Sequence, residues 1–402
     1  MTIPAPDNLP ILHDDPFSPG NLAAPEAFHA RLRDAGPVVW LPLHCCYAVG
    51  QYEAAAEVFG DWRTFSSARG IGLSDFAKEK PWRDPAVLLE TDPPRHNEIR
   101  NRVNRILSQK ALEDMREDFI KQADQLLDRI LETDSFDAQK ELAVAYPLQV
   151  FGDAIGIARD GRDKLLAYGD MAFNNFGPLN DVRAASNQKG KELGVIEWIM
   201  AQTQRDALRP GSLGDKFHQL AEDGLITHYE AWNVMRGQLT AGVDTTIAAL
   251  GHLFMCLANN PEQYAMLRES PGLVRKAFDE TLRHLSPLQQ LFRTAIQGGF
   301  VCGAPIQSDT KMLISIAAAN RDPRKWEDPE RFDITRNAVD HLAFGRGIHV
   351  CAGMNVAKLE VECLLTSFLP RVRSLQLASE PRFILNNTVR RLESLPMRVI
   401  RD

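Results

Sequence analysis

One short segment constrains the fold of this chain more than any other. Residues 341–353 read HLAFGRGIHVCAG and run into the helix-forming stretch MNVAKLEVECLLTSFL. Gly345 and Gly347 permit tight backbone turns that other residues resist. Cys351 stands just before the predicted helix start, where backbone N–H groups and the helix dipole stabilise a thiolate. A buried thiol in a glycine-rich turn is the ordinary alternative, and we apply it to the other five cysteines, which show no zinc-ligand spacing.

The remaining pattern predicts a mainly α protein with a minor β portion. Residues 25–36 predict a short helix, and residues 38–50, rich in β-branched and aromatic side chains, predict strand. From about residue 94 to 285, apolar residues recur three and four positions apart, which is typical of helices. Strand-like segments return over 288–318 and after residue 375.

Composition and patterning exclude several classes of protein. The chain shows no repeat or Gly/Ser linker, so we expect one domain over residues 1–402, with an irregular first twenty residues. The net charge of −7, without a basic block, excludes a nucleic-acid binder. No segment approaches the roughly 18 uninterrupted apolar residues of a membrane span, and the first residues do not form a signal peptide. We therefore expect a cytoplasmic protein.

The cysteine segment matches the pattern FGxGxHxCxG at every fixed position, and on this match the chain resembles the cytochromes P450. The resemblance extends from about residue 34 to 396. It implies the P450 fold and haem b (iron protoporphyrin IX), with Cys351 as the axial iron ligand. Such a thiolate, trans to oxygen, pushes electron density towards O–O cleavage. Gly353 would let the helix backbone lie close to the flat ring.

A second motif, AGVDTT at residues 241–246, lies in a predicted helix from about 227 to 259. Neighbouring acid and alcohol side chains are poor helix formers, although a threonine bonding back to a carbonyl one turn earlier is common. By resemblance, Gly242 makes room over the haem. Thr245 hydrogen-bonds the oxygen that the iron binds, and Asp244 feeds protons inward.

Charged residues elsewhere match further positions of the family. Glu280 and Arg283 share a helix face, and the resemblance implies a buried structural pair that locks onto Arg331 of the segment PERF. Haem carries two propionates, which need paired cations when buried. The expected haem contacts are His96, Arg100, Arg293 and His349 at the propionates, together with Ala241, Gly242 and Phe344.

Several segments are similar to bacterial P450s that oxidise para-substituted benzoates by O-demethylation or hydroxylation. They are FSSARGIGLSDFAKEKPW from residue 65, FNNFGP from 173, the pair Phe292–Arg293 and NNTVRRLESLP from 386. The resemblance implies a substrate carboxylate near Arg69, Ser74, Arg236 and Thr240, with Phe176 and Phe292 on either side of the ring.

The chain departs from that pattern at Ala68, Gly237 and Thr240. The carboxylate site is therefore expected to be less polar, which leaves a meta-substituted benzoate, a cinnamate or a methoxyphenol open beside 4-methoxybenzoate.

Two alternatives to an oxygen-dependent enzyme are a haem-thiolate binding protein without turnover and a peroxide-driven relative. The pair Asp244–Thr245 favours the oxygenase, because neither alternative needs a proton relay. The sequence shows no cysteine cluster for a second cofactor, so we expect electrons from a separate ferredoxin and an NAD(P)H-dependent reductase. Candidate docking charges for an acidic ferredoxin are Arg102, Arg105, Arg346 and Lys358; a solvated basic face explains them equally well.

Overall fold

The computed structural model describes residues 9–401, and helices form most of it. Their bounds are α1 (Pro19–Ala23), α2 (Glu26–Ala35), α3 (Tyr52–Gly60), α4 (Arg95–Ile106), α5 (Gln109–Leu112), α6 (Arg116–Ile130), α7 (Ala145–Ile155), α8 (Lys164–Asn174), α9 (Asp181–Glu192), α10 (Val195–Gln202), α11 (Leu213–Glu222), α12 (His228–Ala241), α13 (Asp244–Asn259), α14 (Pro261–Glu269), α15 (Val274–His284), α16 (Ile316–Ala319) and α17 (Met354–Phe368). The prediction of a mainly helical chain is confirmed. Of the irregular first twenty residues, 1–8 lie outside the described part.

The strands are short and form the minor β portion. They are β1 (Val39–Leu41), β2 (Cys46–Val49), β3 (Phe65–Ser66), β4 (Ser135–Asp137), β5 (Gln290–Ala295), β6 (Gly299–Val301), β7 (Ala304–Ile306), β8 (Thr310–Ser315), β9 (Val372–Leu377), β10 (Arg382–Ile384), β11 (Arg391–Ser394) and β12 (Pro396–Arg401). The largest sheet has the order β1-β2-β8-β5-β3, and β4, β12 and β9 form a second sheet. In the large sheet β2 and β8 run parallel, while the neighbours β5 and β8 run antiparallel.

The central helix pair carries the largest hydrophobic core. Helix α12 opens with a capping box, in which Thr227 and Glu230 each satisfy the other's backbone N–H. Helix α13 is buried along most of its length, and its side chains join those of α6, α7, α15 and α17 in one apolar cluster. The stretch His228–Asn259 is long and apolar enough to cross a membrane by composition alone, but 78% of its apolar window is buried inside the protein. That burial is what a core helix shows.

Candidate functional site

The cysteine loop folds as its glycines predict. Gly345 and Gly347 adopt φ values of 70° and 72°, the left-handed region that glycine enters without strain. A side chain at residue 347 would also bring its Cβ within 2.8 Å of the carbonyl oxygen of Phe59. The loop closes when the Cys351 N–H donates to the carbonyl oxygen of Phe344 at 2.7 Å. This bond fixes the cysteine backbone immediately before α17.

The surroundings of the Cys351 sulfur suit a thiolate that is bound to a metal ion. Burial raises the pKa of the Cys351 thiol, while the N–H groups of Gly353 and Met354 and the charge of Arg100 act to lower it. The residue nonetheless keeps a large accessible surface, so this surface faces an interior space. A metal ion there would overcome the burial, because a coordinated thiol is deprotonated outright.

Four predicted cationic residues come together beside this loop, and we call His96, Arg100, Arg293 and His349 the cation cluster. The imidazole centroids of His96 and His349 are 4.4 Å apart. Burial, followed by the charges of Arg293, His96 and Arg100, lowers the pKa of His349 to about 2. Burial also lowers the pKa of Arg293 to about 10, against the opposing effect of Asp92.

Two ring nitrogens of the cation cluster are left without partners in the described residues. The Nε2 atom of His96 and the Nδ1 atom of His349 are buried and make no hydrogen bond within residues 9–401. Buried polar groups normally have a partner. Two carboxylates placed here would accept from these rings and compensate the neighbouring arginines, so the residues present fit the propionates of haem.

The helix that passes this region is broken at its acid–alcohol motif. Helix α12 ends at Ala241 and α13 begins at Asp244, so the single helix predicted over 227–259 is two. The Thr245 hydroxyl donates to the carbonyl oxygen of Ala241 at 2.8 Å, a bond that often bends helices. Ala241 is exposed and Thr245 partly so. The break therefore presents both residues to an accessible space in the middle of the chain's main core.

Gly242, the glycine of the acid–alcohol motif, is closely packed. We expected it to make room over the haem. In the structure, a Cβ at residue 242 would lie 2.5 Å from the ring of Phe151 and 2.8 Å from the carbonyl oxygen of Gln238. Close packing against that phenylalanine therefore favours glycine here, and the expected room over the haem stays a prediction.

Asp244 is fully buried and paired with a residue that the sequence did not single out. Its Oδ1 atom lies 2.9 Å from Nη1 of Arg391 on β11. Burial raises the pKa of Asp244 to about 6, Arg391 opposes this rise, and Asp170 adds to it. Gly169 of α8 leaves room for the carboxylate, since a Cβ there would stand 3.1 Å from it. Arg391 lies in the segment NNTVRRLESLP, whose similarity to benzoate-oxidising P450s did not indicate this ion pair.

The predicted pair of Glu280 and Arg283 is present and completely buried, with its two contacts at 2.7 and 2.8 Å. Its third member was predicted wrongly. The Arg331 side chain is 64% exposed and approaches Asp333 at 3.8 Å, and only its carbonyl oxygen accepts from Arg283. The residue that reaches Glu280 is Arg336, whose Nε atom lies 3.3 Å from the carboxylate. In the irregular segment after α16, the inward-pointing arginine is therefore five residues further along than predicted.

A second, small cluster of apolar side chains packs against α13 through Ala248, and we call it the apolar cluster. Its buried members are Ile71, Phe173, Phe176, Ala248 and Val389, with Leu89, Leu288 and Leu291 packed at its edge. The rings of Phe173 and Phe176 meet edge to face at 5.8 Å. Ala248 follows Asp244 by one helical turn. Phe176 thus lies in one cluster with Ala248 of α13, together with residues that the sequence pattern did not reveal, and its place beside a substrate ring stays a prediction.

Phe292 does not belong to this cluster, contrary to the prediction. It stacks on Phe17 at 6.4 Å and packs in a separate core behind the large sheet. Successive side chains of a strand point to opposite faces, so the neighbouring Leu291 lies on the Phe176 side. The residue of β5 that faces Phe176 is therefore Leu291, one position before the predicted Phe292.

Arg69 is also engaged differently from the prediction. Its Nε atom donates to Asp75 at 2.8 Å, its Nη2 atom contacts the same carboxylate, and Nη2 lies 2.5 Å from Asp309. Two acids thus already neutralise this guanidinium. Ser74 lies half-buried in the same turn. The structure does not bring Arg69 and Ser74 together with Arg236 in one polar site.

Arg236 and Thr240, by contrast, lie together one helical turn apart in the last two turns of α12, with Thr240 next to the helix break. The Thr240 hydroxyl donates to the Arg236 carbonyl oxygen at 2.9 Å and stands 3.4 Å from the hydroxyl of Tyr168. The Arg236 side chain donates to the Asp84 carbonyl oxygen at 2.6 Å, and burial lowers its pKa, with the charge of Arg83 second. We call Arg236, Thr240 and Tyr168 the Arg236 group.

Of the candidate docking charges, Arg105 and Arg346 are exposed. Lys358 is engaged instead, because its ammonium pairs with Asp279 at 3.0 Å. The Nε atom of Arg102 is buried. The basic surface beside the cysteine loop is therefore smaller than the sequence predicted.

Comparisons with known proteins agree with this arrangement. The family model described as Cytochrome P450 matches residues 272–393. Cytochrome P450 CYP199A2 of Rhodopseudomonas palustris is 41% identical over 392 residues, 97% of this chain and 95% of that protein. Cytochrome P450 107B1 of Saccharopolyspora erythraea is 30% identical over 331 residues, 80% of either chain. The solved structure of P450BioI, in complex with an acyl carrier protein carrying hexadec-9Z-enoic acid, has a TM-score of 0.83 at 25% identity and covers 95% of this chain and 100% of its own.

Proposed function

The chain belongs to the cytochrome P450 family, and from that premise we propose that residues 1–402 form one cytoplasmic haem-thiolate domain that oxidises a small aromatic carboxylic acid. P450 proteins are monooxygenases that bind haem through a cysteine thiolate. In this chain Cys351 would be that ligand, and the cation cluster would hold the propionates. When bound, the haem supplies an iron at which dioxygen is cleaved with the help of its thiolate.

One observation supports a carboxylic acid as the substrate: Arg236 is a buried cation with no carboxylate beside it. Arg236 is 6% exposed, and no carboxylate of residues 9–401 lies within 4.0 Å of it. Burying an unpaired guanidinium is costly. Its neighbour Arg83 already pairs with Glu90 at 2.8 Å, so a substrate carboxylate is the natural partner for Arg236. Tyr168 would add a neutral hydrogen bond to the same anion, and so would Thr240 once its hydroxyl turns away from the Arg236 carbonyl oxygen.

The spacing along α12 suits a small flat acid. At about 1.5 Å per residue, Ala241 at the helix break lies about 7.5 Å further along the helix axis than Arg236. A single substituted benzene ring spans a distance of this order. The apolar cluster around Phe173 and Phe176 would cover the ring through edge-on contacts, and its para substituent would then point towards the break and the cysteine loop.

The proposed reaction is O-demethylation of a methoxybenzoate, or hydroxylation of a para alkyl group. One atom of O2 enters a C–H bond of the methyl group, and the other leaves as water with two electrons and two protons. The resulting hemiacetal collapses to a phenol and formaldehyde. Thr245 would hold a proton near the reacting oxygen, and Asp244 would pass protons towards it. The electrons would come from a reduced ferredoxin, which an NAD(P)H-dependent reductase would reduce in turn. The ferredoxin would dock on the basic surface that includes Arg105 and Arg346.

A spectral titration tests the substrate. We expect 4-methoxybenzoate to shift the haem spectrum saturably, because it expels water from the iron, and to yield formaldehyde and 4-hydroxybenzoate on turnover. The matched neutral probe, 4-methoxybenzamide, should bind at least about tenfold more weakly, since charge-assisted hydrogen bonds are the stronger ones. If no benzoate, cinnamate or methoxyphenol shifts the spectrum, the proposed substrate class is wrong.

A separate test concerns the iron ligand. Carbon monoxide added to the reduced protein should give the red-shifted Soret band of a thiolate-bound haem. The Cys351→His variant should lose this band while it still binds haem through the cation cluster. A variant that keeps the band would contradict the assignment of Cys351.

A further inference from the structure

A second cationic cavity lies away from the haem and substrate residues. It has a volume of about 30 Å³ and opens between α2, the segment that follows α15, and the turn before β11. Five of its lining residues carry basic groups: Arg33, Arg321, Arg390, His29 and His284. None of these was singled out by the sequence motifs. Basic side chains that converge from four separate segments need a physical explanation, because their mutual repulsion disfavours the arrangement.

The acids around this cavity do not balance its arginines. Arg321 pairs with Glu330 at 2.5 Å, and Arg390 approaches Glu26 at 3.4 Å. Both acids lie at the rim, with side chains 63% and 52% exposed, while the arginines lie inside. Arg33 is buried and has no carboxylate of residues 9–401 within 4.0 Å. Three guanidinium groups therefore share two peripheral carboxylates.

Hydrogen-bond donors are left over on the residues that line the cavity. The Nε atom of Arg390 is buried and has no hydrogen-bond partner in the described chain. Arg33 uses its Nη1 atom to bond the Ala318 carbonyl oxygen at 3.1 Å, which leaves its other N–H groups for the cavity. The His29 ring is 6% exposed and makes no hydrogen bond within residues 9–401. Burial and the charge of Arg33 lower the pKa of His29 to about 3, so its ring is neutral and offers one N–H.

We propose that this cavity binds a small inorganic anion of the size of chloride. A site with surplus buried cations and unpaired N–H donors satisfies both only when it receives negative charge. The volume holds about two water-sized occupants, which suits a halide and excludes a nucleotide or an aromatic acid. Chloride would accept from Arg33, Arg390 and His29 together.

The anion would brace one wall of the apolar cluster. Gln289 and Arg390 line the cavity, and their chain neighbours Leu288 and Val389 belong to the apolar cluster. The two segments are already linked, because the Arg390 N–H donates to the Pro287 carbonyl oxygen at 2.8 Å. The binding of chloride does not depend on which substrate the enzyme takes, so the two proposals fail separately.

Thermal unfolding of the haem-loaded protein tests the site. Sodium chloride is compared with sodium gluconate at equal ionic strength, because gluconate is too large for the cavity. A ligand that binds only the folded state stabilises it saturably, and we expect Tm to rise by about 2 °C or more in chloride. Arg33→Gln should remove the chloride-specific rise. The matched control is Arg31→Gln, an exposed residue of the same helix, which should keep it.

Bromide provides a second measurement on the unaltered protein. Crystals soaked in sodium bromide should show an anomalous peak between Arg33, Arg390 and His29. Equal Tm values in chloride and gluconate, a chloride-specific rise that survives Arg33→Gln, or a cavity without bromide would each overturn the proposal.

Discussion

The two faces of the broken helix α12–α13 differ in how closely their residues follow the sequence pattern. On the cysteine side, Gly345 and Gly347 make the predicted turns, and the four residues of the cation cluster come together. On the substrate side, Arg69 is tied to two acids and Phe292 faces another core. Arg236 and Thr240 do lie together there, and Phe176 packs in the apolar cluster. The cysteine side is centred on a contiguous loop and its helix, to which α4 and β5 add the other cationic residues, whereas the substrate side has no such contiguous centre.

This difference has a physical cause. A loop such as 341–353 is determined by local backbone chemistry, because positive φ angles and a helix start are properties of a few neighbouring residues. A substrate site depends on which face of a strand or helix each side chain takes. A shift of one residue on β5 moves a side chain to the opposite face of the sheet. Local motifs therefore transfer between relatives more securely than contact residues do.

We expect the largest effect on stability when the buried pair of Glu280 and Arg283 on the cysteine side is broken. Glu280→Ala leaves Arg283 buried without its acid, and we expect a loss of about 3–5 kcal/mol in the free energy of unfolding. Arg336→Ala should cost about 1–3 kcal/mol, because it removes hydrogen bonds to charged and carbonyl oxygens. Urea unfolding followed by the haem absorbance measures both.

Arg331→Ala is the matched control for this series, since its side chain is exposed and should change stability by less than about 0.5 kcal/mol. If Arg331→Ala proves as damaging as Arg336→Ala, the observed third member of the Glu280 network is wrong and the sequence-based prediction is right.

The next effect separates the two faces of β5. Phe292→Ala empties a site in the core behind the sheet and should destabilise the protein by about 3 kcal/mol, while 4-methoxybenzoate affinity stays within about twofold. Leu291→Ala should weaken that affinity by about threefold to tenfold, because it removes apolar surface on the Phe176 side. Unfolding curves and spectral titrations of both variants give the comparison. The opposite pattern would return Phe292 to the substrate site.

Much of the fold was readable from sequence, because helices and strands follow from residue spacing. The helix over 25–36 and the long helical region form as predicted, and the strand predicted over 38–50 forms as two short strands, β1 and β2, that pair antiparallel. The break at Gly242 and Val243 was not predicted, since the apolar spacing continues through it. Arg391 and Arg336 were missed for a different reason: each reaches its buried acid across tertiary contacts, which leave no periodic signal in one sequence.

The next prediction compares the two arginines of the substrate side, Arg236 and Arg69. Arg236→Gln removes the unpaired cation and should weaken 4-methoxybenzoate binding about 10-fold to 100-fold, the value of a charge-assisted hydrogen bond. Arg69→Gln should change that affinity by less than about threefold, because Asp75 and Asp309 already neutralise it. Spectral titration at fixed ionic strength measures both. Equal losses in the two variants would mean that the carboxylate reaches the Arg69 loop.

The smallest expected effect concerns the acid at the helix break. Asp244 has a pKa of about 6, so it is largely ionised at pH 7, and the adjacent cation of Arg391 favours that ionised form. Removing the cation by Arg391→Gln stabilises the protonated carboxyl relative to the carboxylate. The pKa of Asp244 should therefore rise by about one unit or more, so that about half of the acid or more is protonated at pH 7.

Infrared difference spectra against Asp244→Asn would follow the carboxyl stretch of this one residue as pH changes. In Arg391→Gln the midpoint should move to higher pH, and the pH at which product formation is half-maximal should move with it. Arg398→Gln, an exposed change on β12, should leave both midpoints in place. An infrared midpoint that does not move would show that burial alone controls Asp244. A moved infrared midpoint with an unmoved activity profile would show that Asp244 does not limit proton delivery.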